Sequence, residues 1–378
     1  MNNINLLHIA EGQRWAGIES HIYSLLSELV ELPEINTIML LTLYDGSLRI
    51  KLREQGVDTI CLPHEGHNHL YKVLSIKKHL RDNKINILHT HGYLASIYGL
   101  LAAILSKAKV RVVITFHQRA EPHPTWKMNL NVHFMILLAY FAKAHIIAVS
   151  GDVKKSAAKR FNMLNNQITI IHNGIKLPSH RLEVLDKGSL GYSPNKHTIG
   201  IAGRLVPGKG HRFFVDLASA VTKERDDIEF VILGDGPLFD EIAEYIAMRK
   251  MKEHIKLMGH KDNILDFIKN LSIMVICSDH EGIPYILLES LMLKIPVIST
   301  DVGGIPEVIT HGMNGLLVKP GDNDGMKEQL VELIDHPERR IELGENGYNT
   351  IKNKFLSSRM AHETLNLYFN LINNTVQL

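Results

Sequence analysis

The sequence predicts an α/β protein made of two doubly wound, Rossmann-like domains that face each other across a cleft. Short apolar runs rich in β-branched residues alternate with segments of helical length, which is typical of parallel sheets covered by helices on both faces. The 378 residues are about twice the length of an ordinary domain. A linker rich in Pro, Ser, Gly and charge, residues 176–196, separates two series of such elements. We therefore expect one domain over 1–175, a second over 197–355, and a last helix, 356–378, that crosses back to the first domain.

The first series contains seven strand candidates with helices between them. The predicted helices include Ile18–Val30, Leu70–Arg81 and Tyr93–Leu105, and the last of these is apolar nearly all round and is therefore expected to be buried. The predicted strands are Ile4–Ile9, Asn36–Leu43, Val57–Leu62, Ile85–Thr90, Arg111–Phe116, Ile146–Val149 and Ile168–His172.

The second series restarts after the linker. In doubly wound sheets ligands bind beyond the carboxyl ends of the strands, so the loops that follow the strands are the places to search. The predicted strands are Thr198–Gly203, Glu229–Gly234, Ile255–Met258, Ile273–Cys277 and Val297–Thr300.

Composition excludes several classes of protein. With 45% hydrophobic and 22% charged residues the chain is neither disordered nor collagen-like. Its longest apolar run, Phe134 to Ala142, is too short to span a membrane, and its first residues do not resemble a signal peptide. Two distant cysteines, Cys61 and Cys277, do not form a disulfide framework. We expect a cytoplasmic protein with no nucleic-acid partner.

The charge is unevenly distributed. Residues 1–180 hold 20 Lys and Arg against 12 Asp and Glu, a net charge of +8, whereas residues 181–378 hold 22 against 28, a net charge of −6. Such asymmetry arises either by chance between two domains or because the first domain meets an anionic partner such as a membrane surface. Three groups of basic residues are candidates for that contact: Lys77, Lys78 and Arg81; Lys107, Lys109 and Arg111; Lys154, Lys155, Lys159 and Arg160.

Two loops of the second series carry residue types that suit a nucleotide diphosphate. The first, Gly203 to Gly210, joins a strand to a helix and brings Arg204 and Lys209 together with backbone N–H groups, although a solvated surface turn has the same composition. The second follows Ile273–Cys277 and contains Glu281 and Gly282, with Glu289 in the next helix. Carboxylates accept hydrogen bonds from sugar hydroxyls, and the helix N-terminus attracts an anion.

These loops, together with Gly-Gly-Ile-Pro-Glu-Val at 303–308, resemble those of the retaining glycosyltransferases of family 4, which have the GT-B fold. The resemblance covers nearly the whole chain and is most specific in residues 198–320. It implies that Arg204 and Lys209 neutralise the diphosphate, that Glu289 binds ribose and that Glu281 contacts the donor sugar. Gly203, Gly282 and Ile283 would complete the donor site.

In the first domain the resemblance implies a glycine loop after the first strand, where this chain has Ala16 and Gly17 instead of two glycines. It makes Gly17 a donor-binding residue. It identifies His117 with the family histidine that leans over the donor sugar. His91, at the end of the preceding strand, is a candidate for binding the acceptor.

Two further patterns resemble metal sites. Asp322-Asn323-Asp324 opens a helical segment, where Asp is a favoured cap, so we interpret it as a cap. Cys61, His64, His67 and His69 offer zinc ligands but lack a recognised spacing. We expect no metal and no cofactor.

The sequence therefore predicts a metal-independent glycosyltransferase that moves a sugar from a nucleotide-diphosphate donor, with UDP-sugars favoured, to a glycan or lipid-linked acceptor. Synthesis of cell-surface polysaccharide or lipopolysaccharide is the expected setting. Two alternatives stay open at this point: a nucleotide-sugar epimerase of the same fold, and a non-catalytic protein that binds nucleotide sugars.

Overall fold

A computed structural model of the chain divides into two compact units, Met1–Gly174 with Ser357–Leu378, and Ile175–Leu356. None of the helices among the described residues is long and apolar enough to span a membrane. Apart from the side chains of 127 and 128, the structure describes residues 4–62, 68–106, 109–120, 126–161, 166–178 and 185–373.

The first unit is built on a parallel sheet of seven strands in the order β3-β2-β1-β4-β5-β6-β7. Its strands are β1 Ile4–Ala10, β2 Ile35–Thr42, β3 Asp58–Cys61, β4 Ile87–His91, β5 Arg111–Phe116, β6 His145–Ala148 and β7 Ile168–Ile170. Its helices are α1 Gly17–Leu29, α2 Ser47–Glu54, α3 His69–Asp82, α4 Tyr93–Ser106, α5 Trp126–Phe141, α6 Gly151–Arg160 and, from the end of the chain, α13 Ser357–Asn373.

Helices cover this sheet on both faces, because both faces of its central strands bury apolar side chains. One face packs against α3, α4, α5 and α6. The other packs against α1, α2 and α13. The chain end is fixed there by Tyr368, which is fully buried, and by the Ser357 hydroxyl, which donates a hydrogen bond to Glu28 Oε1 over 2.7 Å.

The second unit repeats the arrangement with a parallel sheet of six strands in the order β10-β9-β8-β11-β12-β13. The strands are β8 His197–Ala202, β9 Ile228–Leu233, β10 Ile255–Leu257, β11 Ile273–Ile276, β12 Val297–Thr300 and β13 Leu316–Val318. The helices are α7 His211–Val221, α8 Phe239–Met248, α9 Ile264–Lys269, α10 Tyr285–Met292, α11 Asn323–Asp335 and α12 Pro337–Lys354.

The structure confirms the α/β class and corrects three details. Sequence reasoning missed the three-residue strand β13, which is too short to show a period. The strand predicted over Ile168–His172 ends at Ile170. Helix α4 was expected to be buried all round, but Tyr93, Ile104 and Leu105 are exposed. Its apolar surface is therefore covered on one side only.

We predict that alanine at Gly210 destabilises the second unit far more than alanine at Gly259. Both glycines have positive φ angles, 73° and 68°, which cost an L-residue about 1–2 kcal/mol. A Cβ at Gly210 would also lie 2.0 Å from the carbonyl oxygen of Cys277, whereas a Cβ at Gly259 meets nothing within 4 Å. Gly210→Ala should lower the free energy of unfolding by at least about 2 kcal/mol more than Gly259→Ala.

Urea denaturation followed by circular dichroism measures that difference. Equal losses in the two variants would show that the loop at Gly210 moves away from Cys277 at little energetic cost.

Candidate functional site

The second sheet has a switch point between β8 and β11. From β8 the chain winds outward to β10, then returns to β11 beside β8 and winds the other way to β13. At such a point the loops after the two central strands diverge and leave room for a ligand beyond the carboxyl ends. Here those loops are residues 203–210 and 277–284, the two that the sequence singled out.

The loops after β8, β11 and β12 approach one another backbone to backbone. The N–H of Asp279 donates to the carbonyl of Gly208 over 2.8 Å, and the N–H of Gly304 donates to the carbonyl of Gly282 over 3.0 Å. A Cβ at Gly303 would lie 1.8 Å from the carbonyl oxygen of Glu281. Only glycine permits such an approach, so packing requires the first glycine after β12, Gly303.

Lys209 and Glu281 form an ion pair at this edge. Lys209 Nζ donates to Glu281 Oε1 over 2.6 Å, and the Ser278 hydroxyl donates to the same oxygen over 2.7 Å. The Glu281 side chain is only 10% exposed and that of Lys209 33%, so water screens the pair less than it would at the surface. The pair holds the Lys209 ammonium beside the strand end.

Arg204 differs from Lys209 because it is exposed, and no hydrogen bond or ion pair links its guanidinium to another described residue. It belongs to the same loop as Gly203, whose carbonyl lies against Gly234. The loop therefore carries one cation with a partner and one whose five N–H donors are open to an anion.

Glu289 lies in the second turn of α10, a helix whose N-cap is Pro284. Pro284 has an extended ψ of 136°, so it precedes the helix as its cap and is not part of the first turn. Within the described parts of the chain, no hydrogen bond reaches the half-buried Glu289 carboxyl group. Burial raises its pKa to about 7. A desolvated carboxyl group without a partner is a strong acceptor for hydroxyl groups. Ahead of the helix, Gly282 and Ile283 are buried.

In the first unit the corresponding switch point lies between β1 and β4, and it is lined by histidines. His91 is the last residue of β4, and His117 follows β5 directly. Their ring nitrogens Nδ1 and Nε2 lie 3.3 Å apart. The structure therefore brings together the two histidines that the sequence selected.

The backbone conformation of the loop after β1 does not require glycine at position 16. Ala16 is the N-cap of α1 in an extended conformation, φ −152°, which any residue adopts. Its N–H donates to Glu19 Oε2 over 3.1 Å, which helps to cap the helix. A Cβ at Gly17 would meet nothing within 4 Å. The departure from two glycines therefore leaves the start of α1 undisturbed.

Sequence reasoning missed the buried histidines behind His91 and His117. His8 Nδ1 lies 2.9 Å from His91 Nε2, and His89 Nδ1 lies 2.6 Å from the hydroxyl of Tyr368. His21, on α1, pairs with Asn173 over 2.9 Å. The signal was available, because residues 8, 89, 91 and 117 lie on the same face of adjacent strands and are polar where a buried strand is normally apolar.

These histidines are neutral at physiological pH. Burial lowers the pKa of His8 to about 3 and that of His21 to about 4, and the neighbouring ring His21 lowers the pKa of His8 further. The pKa values of His91 and His117 lie well below 6.5. Burial is the larger cause, and repulsion from nearby histidines is the smaller one. The carboxyl edge of the first sheet is therefore polar and uncharged at these positions.

The two metal-like patterns have different outcomes. Asp322 Oδ1 accepts a hydrogen bond from the N–H of Gly325 over 2.9 Å, which confirms that Asp322 caps α11. His64 and His67 lie outside the described residues, and the His69 ring contacts the Tyr98 hydroxyl.

The structure contains two histidine triads that the sequence did not reveal. In each triad the ring nitrogens lie within 4.8 Å of one another. The triads are His8, His89 and His91, and His21, His91 and His117. Neutral imidazoles are metal ligands as well as hydrogen-bond partners. The absence of a metal therefore stays a prediction.

Comparison with known proteins agrees with this arrangement. The family described as glycosyl transferases group 1 matches residues 185–350, and glycosyltransferase family 4 matches residues 15–177. A UDP-Gal:alpha-D-GlcNAc-diphosphoundecaprenol alpha-1,3-galactosyltransferase from Escherichia coli is 26% identical over 326 residues, 84% of each chain. The capsular polysaccharide biosynthesis glycosyltransferase CapM from Staphylococcus aureus is 25% identical over 282 residues, 72% of this chain and 74% of CapM.

Solved structures share the fold. Anabaena HepE in complex with UDP-glucose superposes with a TM-score of 0.85 over the full length of both chains, at 16% identity. Sucrose-phosphate synthase from Thermosynechococcus elongatus gives 0.80 at 15% identity, covering 98% of this chain and 100% of the other. The fold is the two-domain α/β GT-B fold that the sequence predicted. Since the two family matches follow one another along most of the chain, this protein belongs to the family 4 glycosyltransferases.

Proposed function

We propose that this glycosyltransferase moves a hexose or related sugar from a nucleotide-diphosphate donor, with UDP-sugars favoured, to a glycan or lipid-linked acceptor, with retention of configuration. The observation that carries the proposal is the pair of cations Arg204 and Lys209 in the loop after β8, beside Glu281 in the loop after β11. A guanidinium and an ammonium are both charged donors to phosphate oxygens, so the two side chains suit a diphosphate.

In the proposed reaction the bond between the anomeric carbon and the β-phosphate oxygen breaks, and a bond to the acceptor oxygen forms on the same face. Negative charge develops on the leaving diphosphate, where Arg204, Lys209 and the N-terminus of α10 stabilise it. The acceptor hydroxyl gives its proton to that phosphate. Because the protein supplies the positive charge, we propose that the reaction needs no metal ion.

In this proposal Glu289 and Glu281 bind different parts of the donor, the ribose and the sugar. Glu289 accepts hydrogen bonds from ribose hydroxyls, which suits a carboxyl group with no partner in the described structure. Glu281 already accepts from Lys209 and Ser278 at Oε1, so its Oε2 is the oxygen left for a donor-sugar hydroxyl. His117 would contact the sugar from the first unit, and His91 the acceptor.

The donor base and the setting are supported by similar proteins. The E. coli relative is named for a UDP-Gal donor and a lipid-linked diphosphoundecaprenol acceptor, and CapM for capsular polysaccharide synthesis. HepE has been solved with UDP-glucose. We propose the same class of donor here, and synthesis of cell-surface polysaccharide or lipopolysaccharide at the cytoplasmic side of a membrane. Both cysteines are free, which suits a reducing compartment.

We expect a panel of nucleotide sugars to identify the donor by thermal stabilisation. A ligand at 100 times its Kd stabilises the folded state by about 2.7 kcal/mol, so a UDP-sugar should raise the melting temperature by several degrees and a non-ligand should not.

Transfer of the sugar from the donor that stabilises the protein to a lipid-linked acceptor should persist in excess EDTA. Stabilisation without transfer to any acceptor would favour a non-catalytic binder, and a strict Mg²⁺ requirement would contradict the metal-free mechanism.

Arg204→Ala should reduce turnover by about two to three orders of magnitude at saturating donor, because a preorganised partner of the leaving group is lost. Lys209→Ala should act on the same scale. The matched control is Arg212→Ala, which removes an exposed guanidinium of α7 that pairs with Glu241. Its turnover should stay within about twofold of the parent. If Arg204→Ala and Arg212→Ala behave alike, the diphosphate does not bind at this loop.

The affinity for nucleoside diphosphate should depend on pH through Glu289. Since its pKa is raised to about 7, the carboxyl group is largely protonated at pH 6 and loses acceptor strength. Ribose binding favours the carboxylate, so affinity should rise between pH 6 and pH 8. In Glu289→Gln, which does not titrate, that rise should shrink to the part due to the phosphate itself. Calorimetry at three pH values measures both proteins, and identical pH profiles would remove Glu289 from the ribose site.

A further inference from the structure

Helix α5 exposes large apolar side chains along one side. Trp126, Leu130, Phe134, Leu137 and Phe141 follow one another at intervals of three or four residues, so they lie on one face of the helix, and all five are exposed. The opposite side is also apolar and packs into the core through residues such as Met135 and Ile136. A helix that is apolar all round is normally buried all round.

Two further helices, α4 and α3, also expose large apolar side chains. Helix α3 packs beside α4 and α4 beside α5, and all three bury their inner sides in the same core. Together they carry 12 of the 18 large apolar side chains that are exposed in the described residues. The 12 are Leu70, Tyr71 and Leu74 on α3, Tyr93, Ile104 and Leu105 on α4, and Trp126, Leu130, Phe134, Leu137, Tyr140 and Phe141 on α5. We call this surface the apolar layer.

The chain segment that carries the apolar layer is rich in positive charge. Residues 69–160 contain 15 Lys and Arg but only three Asp and Glu, and neither α4 nor α5 contains an acidic residue. Lys78 and Arg81 at the end of α3, and Lys155 and Lys159 on the neighbouring helix α6, are exposed. Arg160 ties α6 to α5, since its Nη2 donates to Asn129 Oδ1 over 2.9 Å.

We propose that the apolar layer is a docking surface for an anionic lipid bilayer, with the outer side of α5 inserted among the lipid headgroups. Aromatic and aliphatic side chains bordered by Lys and Arg are the composition of interfacial helices. Each basic residue near such a surface adds to the attraction. Asp82 is the one acidic residue in α3, α4 and α5, which argues against a protein partner, since contacts between proteins normally include charges of both signs.

The apolar layer lies where it could bring a lipid-linked acceptor to the candidate site, and this step rests on the proposed function. The N-termini of α4 and α5 lie at the carboxyl edge of the first sheet, beside a crevice lined by Glu11, Tyr93, Leu94, Ile97, Asn131 and Val132. His91 and His117 end strands at that same edge. An acceptor whose lipid stays in the bilayer would therefore present its sugar to the edge of the sheet that carries the two histidines.

Trp126 provides a direct measurement, because the chain has only two tryptophans and Trp15→Phe leaves Trp126 alone. Trp126 is 71% exposed in the free protein. With vesicles of phosphatidylcholine containing 30% phosphatidylglycerol, its emission should shift to shorter wavelength and be quenched by lipids brominated on the acyl chains. Vesicles of phosphatidylcholine alone should give a much smaller change.

Substitutions on the layer have a matched control elsewhere. Phe141→Glu and Ile341→Glu place the same charge at equally exposed apolar positions, 67% and 66%, but Ile341 lies on α12 of the second unit. Phe141→Glu and Leu130→Glu should each weaken sedimentation with the anionic vesicles at least tenfold. Ile341→Glu should not. Circular dichroism and melting temperature should be unchanged in all three variants.

Three results would overturn the proposal: no binding to anionic vesicles, binding in which Trp126 emission does not change, or equal effects of Phe141→Glu and Ile341→Glu. A dimer in light scattering that Leu130→Glu dissociates would assign the layer to a second copy of the chain instead. Vesicle binding needs neither donor nor acceptor. Transfer to a water-soluble acceptor therefore tests the proposed function separately, and Leu130→Glu should leave it unchanged.

Discussion

At the carboxyl edge of the second sheet three loops pack backbone against backbone, and the candidate donor site depends on that contact. Gly210 and Gly303 occupy places where the carbonyl groups of Cys277 and Glu281 leave no room for a side chain. The Thr300 hydroxyl donates to the carbonyl of Ser278 over 2.6 Å, which ties the loop after β11 to the end of β12. Because the loops are fixed in this way, Lys209 and Glu281 meet without requiring a ligand to hold them.

The edge of the first sheet is organised by hydrogen bonds among neutral rings instead. A neutral imidazole donates at one nitrogen and accepts at the other, so the contact between His8 and His91 couples their tautomers. His91 in turn faces His117, and the hydroxyl of Tyr368, on the last helix, reaches both His89 and His8. The final segment of the chain therefore helps to determine the orientation of the rings at the candidate site.

The order of strands and helices could be predicted from the sequence because each element carries its own period and its own loop. The loops at 203–210 and 277–284 could be found for the same reason, since their residues are neighbours in sequence. The contact of Tyr368 with His89 could not, because 279 residues separate the two partners. The short strand β13 also escaped, since its place is set by pairing with β12 and not by a local pattern.

Helix α5 shows a different limit of sequence reasoning. A helix that is apolar on every side has no preferred direction in its pattern, so the sequence cannot say which side the fold covers. The structure supplies that direction: Met135 and Ile136 are buried, while Leu130 and Phe141 are exposed. Exposed side chains of this size stabilise the isolated fold less than buried ones do, and they favour aggregation. Folding alone therefore does not account for an apolar outer side along four turns of α5. The excess of positive charge in the segment that carries the apolar layer favours anionic partners.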